Sequence, residues 1–155
     1  MENYHIAESF KVIKSNDDYN IFCNLSTSEY KTIRKRIIDC VLATDMIFHG
    51  KQVVFLKGKI ETFSIKHGEG SEKMIVGLDA NAQSAIQQEF MNVFIHAADI
   101  SNPTKPFHIY SKWADRVMSE FWSQGDKERD LKLPISFLCD RYSVKLPGAQ
   151  LGFMD

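Results

Sequence analysis

The 155-residue sequence has almost no net charge: 19 Lys+Arg against 20 Asp+Glu leave a formal −1. That balance provides no basic field for nucleic acid or an anionic membrane surface. Long apolar runs are also missing, and none approaches the roughly 20 residues that a membrane-spanning helix requires. Cysteine is scarce. Cys23, Cys40 and Cys139 are odd in number and widely spaced, with no C-x-x-C or metal-finger pair. This argues against a disulfide framework or a structural zinc knot and points to a reducing compartment. Asn24-Leu25-Ser26 fits a glycosylation sequon, but the N-terminus lacks the basic-then-apolar pattern of a signal peptide. A cytoplasmic chain without a nucleic-acid partner is expected. Strand-like alternation of any length is absent as well.

What is present suits one globular domain: 44% hydrophobic, 25% charged and 12% aromatic residues. A chain of this size can bury about 68–70% of its unfolded surface. Ser26-Thr27-Ser28-Glu29 is a capping-box signature, and Tyr30, Ile33, Ile37, Val41 and Leu42 follow at helical spacing. Lys31, Arg34, Lys35 and Arg36 read as the solvated side of that helix. From Ser64 to Asn81 the three glycines Gly68, Gly70 and Gly77 predict a loop. Gly68-Glu69-Gly70 lacks the further residues of a phosphate-binding loop. A second helix is expected over Ala82 to Ile100, burying Ile86, Phe90, Val93, Phe94, Ala97 and Ala98. A third is expected from Pro106 to Gln124, burying Phe107, Tyr110, Trp113, Val117 and Phe121, with Gly125 as its C-terminal cap. The tail from Leu131 predicts short helical pieces. The class is all-α, without internal repeats.

The segment His96-Ala97-Ala98-Asp99-Ile100-Ser101-Asn102-Pro103 carries the most chemical information. Asp99 falls near the end of an apolar helix, where an unpaired carboxylate costs several kcal/mol to bury. It is either a helix-end acid bonded to backbone N–H groups or a metal ligand. His96, three residues earlier, can share its helix face, either as a second ligand or as a satisfied boundary residue. His5, His49, His67 and His108 show no ligand spacing, so local motifs assemble no complete metal site.

Longer motifs carry more. Val41-Leu42-Ala43-Thr44-Asp45-Met46, His96 through Pro106, Phe121-Trp122-Ser123-Gln124-Gly125-Asp126 and Gln150-Leu151-Gly152-Phe153-Met154-Asp155 occur in order. This series closely resembles the catalytic domain of class I 3′,5′-cyclic nucleotide phosphodiesterases. Leu133 through Arg141 is similar to that family's segment ahead of its substrate glutamine. Glu2-Asn3-Tyr4-His5 resembles its L-E-N-H-H stretch, with Tyr4 replacing a histidine. The resemblance spans residues 1–155 and implies a helical, bundle-like part of a compact all-helical domain. The family's H-N-x-x-H motif and H-D pair do not occur here, so the chain is expected to be the C-terminal half of such a domain, its N-terminal half missing.

The resemblance also implies roles. Asp99 matches the last metal-binding aspartate of a centre of two divalent metals, zinc with magnesium or manganese, whose bridging hydroxide opens the cyclic phosphate to a 5′-monophosphate. Glu2 matches the glutamate supporting the catalytic histidine, which is itself absent. Thr44 and Asp45 match positions near the second metal; read from the residues alone, they are a polar pair bonding backbone. Gln150 matches the glutamine that grips the purine, and Phe153 the aromatic stacked on it. Val117 and Phe121 match the opposite wall of that clamp; without the resemblance they are core. Asn102 matches a position that can bond adenine, leaning the expected substrate from either cAMP or cGMP towards cAMP. The implied activity is cyclic nucleotide hydrolysis, with these residues alone inactive. The alternative is a truncated, non-catalytic paralogue acting as a binding or dimerisation module.

Overall fold

The computed structural model describes residues 1–66 and 79–154, which are mainly helical, with no strand among them. Six α-helices follow one another: α1 (Glu2–Ser15), α2 (Thr27–Leu42), α3 (His49–Lys66), α4 (Ala80–Asp99), α5 (Phe107–Asp130) and α6 (Leu146–Met154). Short 3-10 turns lie at Asp17–Tyr19, Met46–Phe48 and Asn102–Thr104. The chain divides into two compact units, Met1–Asp99 and Ile100–Asp155.

In the first unit, α2 begins as its sequence dictates. Ser26 accepts from the Glu29 N–H, and the Glu29 carboxylate accepts from both the Ser26 N–H and its hydroxyl. Those bonds hold the Glu29 carboxyl below its ordinary value of 4.5. Tyr30, Ile33, Ile37, Val41 and Leu42 form the half-buried face expected of them. The basic side is not all solvated, however. The Arg36 guanidinium reaches α4, donating to Ser84 Oγ at 3.3 Å and Gln87 Oε1 at 3.4 Å. Arg34 lies over the Phe10 ring at 5.1 Å. Helices α1 and α3 have no counterpart among the helices expected from the sequence. Helix α1 buries Ile6 and Phe10, and an aromatic chain of Phe10, Phe22 and Tyr30 joins it to α2. Helix α3 packs on α4 through an edge-on Phe55–Phe90 pair, centroids 5.4 Å apart.

In this first unit two boundaries and one face differ from expectation. The loop predicted from Ser64 is helical through Lys66, and α4 starts at Ala80; Gly68, Gly70 and Gly77 lie outside the described residues. On α4 the buried positions are Val93 and His96, while Phe94 is 67% exposed and Ala97 and Ala98 are exposed. A run apolar on all sides sets no register of its own, so the polar partners of His96 and Gln88 decide which side faces inward.

In the second unit, α5 runs straight through Gly125. It ends six residues later than its predicted boundary, in a Schellman motif: the Lys132 N–H donates to the Arg129 carbonyl and the Leu133 N–H to the Glu128 carbonyl. Lys132 takes the left-handed conformation, φ 57°, that glycine normally fills. Gly125 is therefore not a cap. It is a close-approach residue, because a Cβ there would lie 2.0 Å from the Cys139 carbonyl oxygen. The buried stripe is Ala114, Met118 and Gly125 flanked by Tyr110, Val117 and Phe121, whereas Phe107 and Trp113 are largely exposed. The tail does form a short helix, α6, as expected.

Candidate functional site

The residues matched by sequence fall into two groups with different fates. In the first unit, Asp99 is the last residue of α4 and is exposed. His96 is 4% exposed, and its Nε2 lies 2.9 Å from Nδ1 of His49. The two are three residues apart, yet one is engaged in the helix interface and the other faces solvent, so they form no chelating pair. His49, which carries no ligand spacing in the sequence, is the partner that residue spacing could not find, 47 positions away. The His96 Nδ1 is buried without a partner.

Glu2 opens α1 half-buried, its carboxyl held below 4.5 by a backbone N–H bond and then by the terminal amine, which donates at 3.1 Å. Thr44 and Asp45 follow α2. The Thr44 hydroxyl donates to the Val41 carbonyl at 2.8 Å, and Asp45 accepts from the Ile47 N–H at 3.0 Å, capping the turn Met46–Phe48. Both bond backbone at a helix end. Among the described residues no cluster of three or more His, Cys, Asp or Glu is poised to hold a metal ion. A cavity of about 300 Å³ lies nearby, lined by Asp39, Leu42, Ala43, Phe48, Lys51, Gln52, Gln88, Glu89 and Asn92, and none of Glu2, Thr44, Asp45 and Asp99 lines it.

The second unit is different. Asn102, Val117, Phe121, Gln150 and Phe153 all line one cavity of about 70 Å³, together with Tyr110, Ala114, Met118, Leu138 and Ala149. Val117 and Phe121 are one turn apart on α5, which puts both on the same wall. Gln150 and Phe153 are three apart on α6, which supplies the other. Asn102 comes from the 3-10 turn ahead of α5. The lining is mainly apolar with a few polar groups, as small-molecule sites are.

Tyr110 gives the cavity its polar geometry. Its hydroxyl donates to Gln150 Oε1 at 2.8 Å, fixing how the amide is turned. That leaves the Nε2 hydrogens and one lone pair of Oε1 for a ligand. Sequence periodicity assigned Tyr110 to the apolar face of α5, where it is half-buried; its polar tip could be placed only by a partner 40 residues on.

Leu138 is a further lining residue that the sequence did not single out. It lines the cavity with φ 63°, in the left-handed region. The segment carrying it is bonded to α5 repeatedly. Glu128 accepts from the Ser136 N–H at 2.7 Å and its hydroxyl at 2.6 Å, and those bonds lower its carboxyl below 4.5. Arg129 donates to Asp140 at 2.8 Å, and Arg141 pairs with Asp126. The Asp140 carboxyl is lowered by the Tyr142 N–H, the Ser143 hydroxyl and Arg129. Cys139, 3% exposed, has its thiol pushed up by burial and by the Glu128 charge, which keeps it protonated.

Comparison with known proteins adds a family. The model of the 3′5′-cyclic nucleotide phosphodiesterase family matches residues 1–155. Isoform F of a Drosophila melanogaster 3′,5′-cyclic-AMP phosphodiesterase is 40% identical over all 155 residues, which cover 22% of its length. Isoforms N/G of the fly enzyme match at the same identity, with 15% of their length covered. A solved structure of LmjPDEB1 in complex with IBMX superposes with a TM-score of 0.77 at 30% identity, covering 99% of this chain and 42% of that one. The chain thus spans well under half the length of the relatives it matches.

Proposed function

Because this chain belongs to the 3′5′-cyclic nucleotide phosphodiesterase family, we propose that it is the base-recognition part of a domain that hydrolyses 3′,5′-cyclic nucleotides to 5′-monophosphates. The observation that carries this reading is the shared cavity of Asn102, Val117, Phe121, Gln150 and Phe153. A purine, larger than the cavity of about 70 Å³ as it stands, enters by parting Val117 and Phe121 on one side from Phe153 on the other, its faces against apolar carbon and aromatic rings. Gln150, turned by Tyr110, offers N–H to an acceptor on the base edge and a lone pair to a donor. Asn102 on the cavity wall and the cyclic-AMP phosphodiesterases among the relatives favour cAMP as the substrate.

The hydrolytic half of the reaction is assigned differently. The residues described here do not fit a centre of two metals: Asp99 offers one carboxylate, and no cluster of three ligands surrounds it. Asp99 is proposed to contribute its carboxylate as one ligand to such a centre in a longer domain. Glu2, Thr44 and Asp45 are proposed to support that centre from around it. By themselves these 155 residues should turn over neither cAMP nor cGMP.

Saturation-transfer NMR on the purified chain with cAMP tests the binding reading. Transfer should reach the purine protons and fall sharply in Gln150→Ala and Phe121→Ala. No transfer in the wild-type chain, or transfer indifferent to both substitutions, sinks it.

A further inference from the structure

Ser136-Phe137-Leu138-Cys139 is a tight turn, closed by the Cys139 N–H donating to the Ser136 carbonyl at 3.0 Å. Leu138 is its third residue, and only it among the four has a positive φ, 63°. A turn of that kind calls for glycine or asparagine at its third position, because a Cβ is strained there. The sequence instead has a branched apolar side chain, and that side chain lines the cavity. Backbone strain of this sort persists only where the surroundings over-determine the conformation.

The surroundings are on α5. Gly125 lets the Cys139 carbonyl approach to where a Cβ would sit 2.0 Å away. One turn later Glu128 accepts from both donors of Ser136, its N–H and its hydroxyl, at the first residue of the turn. Arg129 holds Asp140, just past its last residue, and lies over the Tyr142 ring at 4.9 Å. The strained leucine is thus bracketed on both sides by contacts to a single helix, the one that carries Val117 and Phe121.

We propose that Gly125, Glu128 and Arg129 are positioning residues for base recognition, acting through Leu138, which they hold against its backbone preference as a wall of the purine cavity. This rests on the reading of that cavity as the base site. None of the three lines the cavity, so their effect on binding passes through the turn.

The test uses the full 155-residue chain, cAMP as probe, and NMR signals of the Leu138 methyls and the Gln150 side-chain amide. Without ligand, Gly125→Ala should displace the Leu138 methyl signals, since the turn must leave α5. Affinity for cAMP should fall about tenfold, on the order of one lost apolar contact. Glu128→Ala should do the same to a smaller degree, and Glu128→Gln, which keeps an acceptor for Ser136, should restore most of the loss. If Gly125→Ala does not fold, the Glu128 pair decides, because that side chain is only half-buried. Unmoved Leu138 methyls, wild-type affinity in Glu128→Ala, or equal losses in Glu128→Ala and Glu128→Gln would overturn the proposal. A wild-type chain whose Gln150 and Leu138 signals ignore cAMP would overturn the base-site reading instead, and would leave the ligand-free displacement to judge the positioning separately.

Discussion

Residues 1–99 and 100–155 each carry residues matched to a family site, and they treat them differently. In the second unit all five matched residues converge on one cavity. In the first, Glu2, Thr44, Asp45 and Asp99 stand at helix ends, bonded to backbone or the terminal amine or left exposed. The contrast follows from range. A pocket between two helices joined by a short tail can be built from a few dozen consecutive residues, because helical periodicity already pairs its walls. A centre of hard metal ligands needs several carboxylates and imidazoles from separate elements, and each would be costly to gather without the ion.

The largest expected effect would sharpen this contrast. In a complete phosphodiesterase domain containing this chain, Asp99→Ala should lower kcat by orders of magnitude, while Gln150→Ala should act mainly on KM. Steady-state kinetics on cAMP and cGMP separate the two; near-normal kcat in Asp99→Ala would erase the proposed division of roles. Next comes the floor of the cavity. Met118 is 1% exposed, and Met118→Ala should cost about 2–5 kcal/mol by leaving a void. Thermal or urea unfolding would read it, and a loss below that range would mean that the stripe repacks.

Smaller effects probe each unit's local devices. Ser26→Ala removes the side-chain half of the α2 capping box, leaving the Glu29 N–H without its acceptor, and should cost about 1 kcal/mol in the same unfolding assay. Gln150→Ala removes one or two of the proposed base contacts, each worth about 0.5–1.5 kcal/mol, which a cAMP titration would register as a several-fold weaker Kd.

The smallest effect is set by acid. Glu128 and Asp140 both have carboxyls lowered by the bonds that fasten residues 136–143 to α5 and to each other. A depressed carboxyl contributes stability that is fully present above its unfolded value, 4.5 for Glu128 and 3.8 for Asp140, and is lost as pH falls through the folded value. Protection of the Ser136 amide, measured against its intrinsic exchange rate at each pH, should therefore fall below about pH 4.5 and that of Tyr142 below about pH 3.8, before the middle of α5 opens. Protection there that is unchanged by acid would mean that these bonds do not hold the segment.

Much of this was legible in the residues. The all-α class, the capped start of α2, the pairing of Val117 with Phe121 and five of the residues that share the second unit's cavity all rest on spacings of three or four or on motifs read in order. The misses share a cause. Helix α1 has no side-chain cap, helix α3 has a weak amphipathic pattern, and Gly125 carries a terminator's identity inside a helix that continues. The inner face of α4 was misjudged because Ala97 and Ala98 are apolar and His96 is not, yet it is the histidine that is buried.

The sequence by itself determined where α2 begins and which residues recur on one side of α2 and along the Val117–Phe121 turn of α5, because capping and periodicity act within a turn or two of chain. Only the tertiary structure decided which apolar face turns inward, that Gly125 makes room for the Cys139 carbonyl, and that Tyr110 orients Gln150. Those pairings join residues 14, 40 or 47 positions apart. No local free energy distinguishes such partners in advance; they are chosen by the packing of whole helices, which brings a donor, an acceptor or a missing Cβ to the one place where it fits.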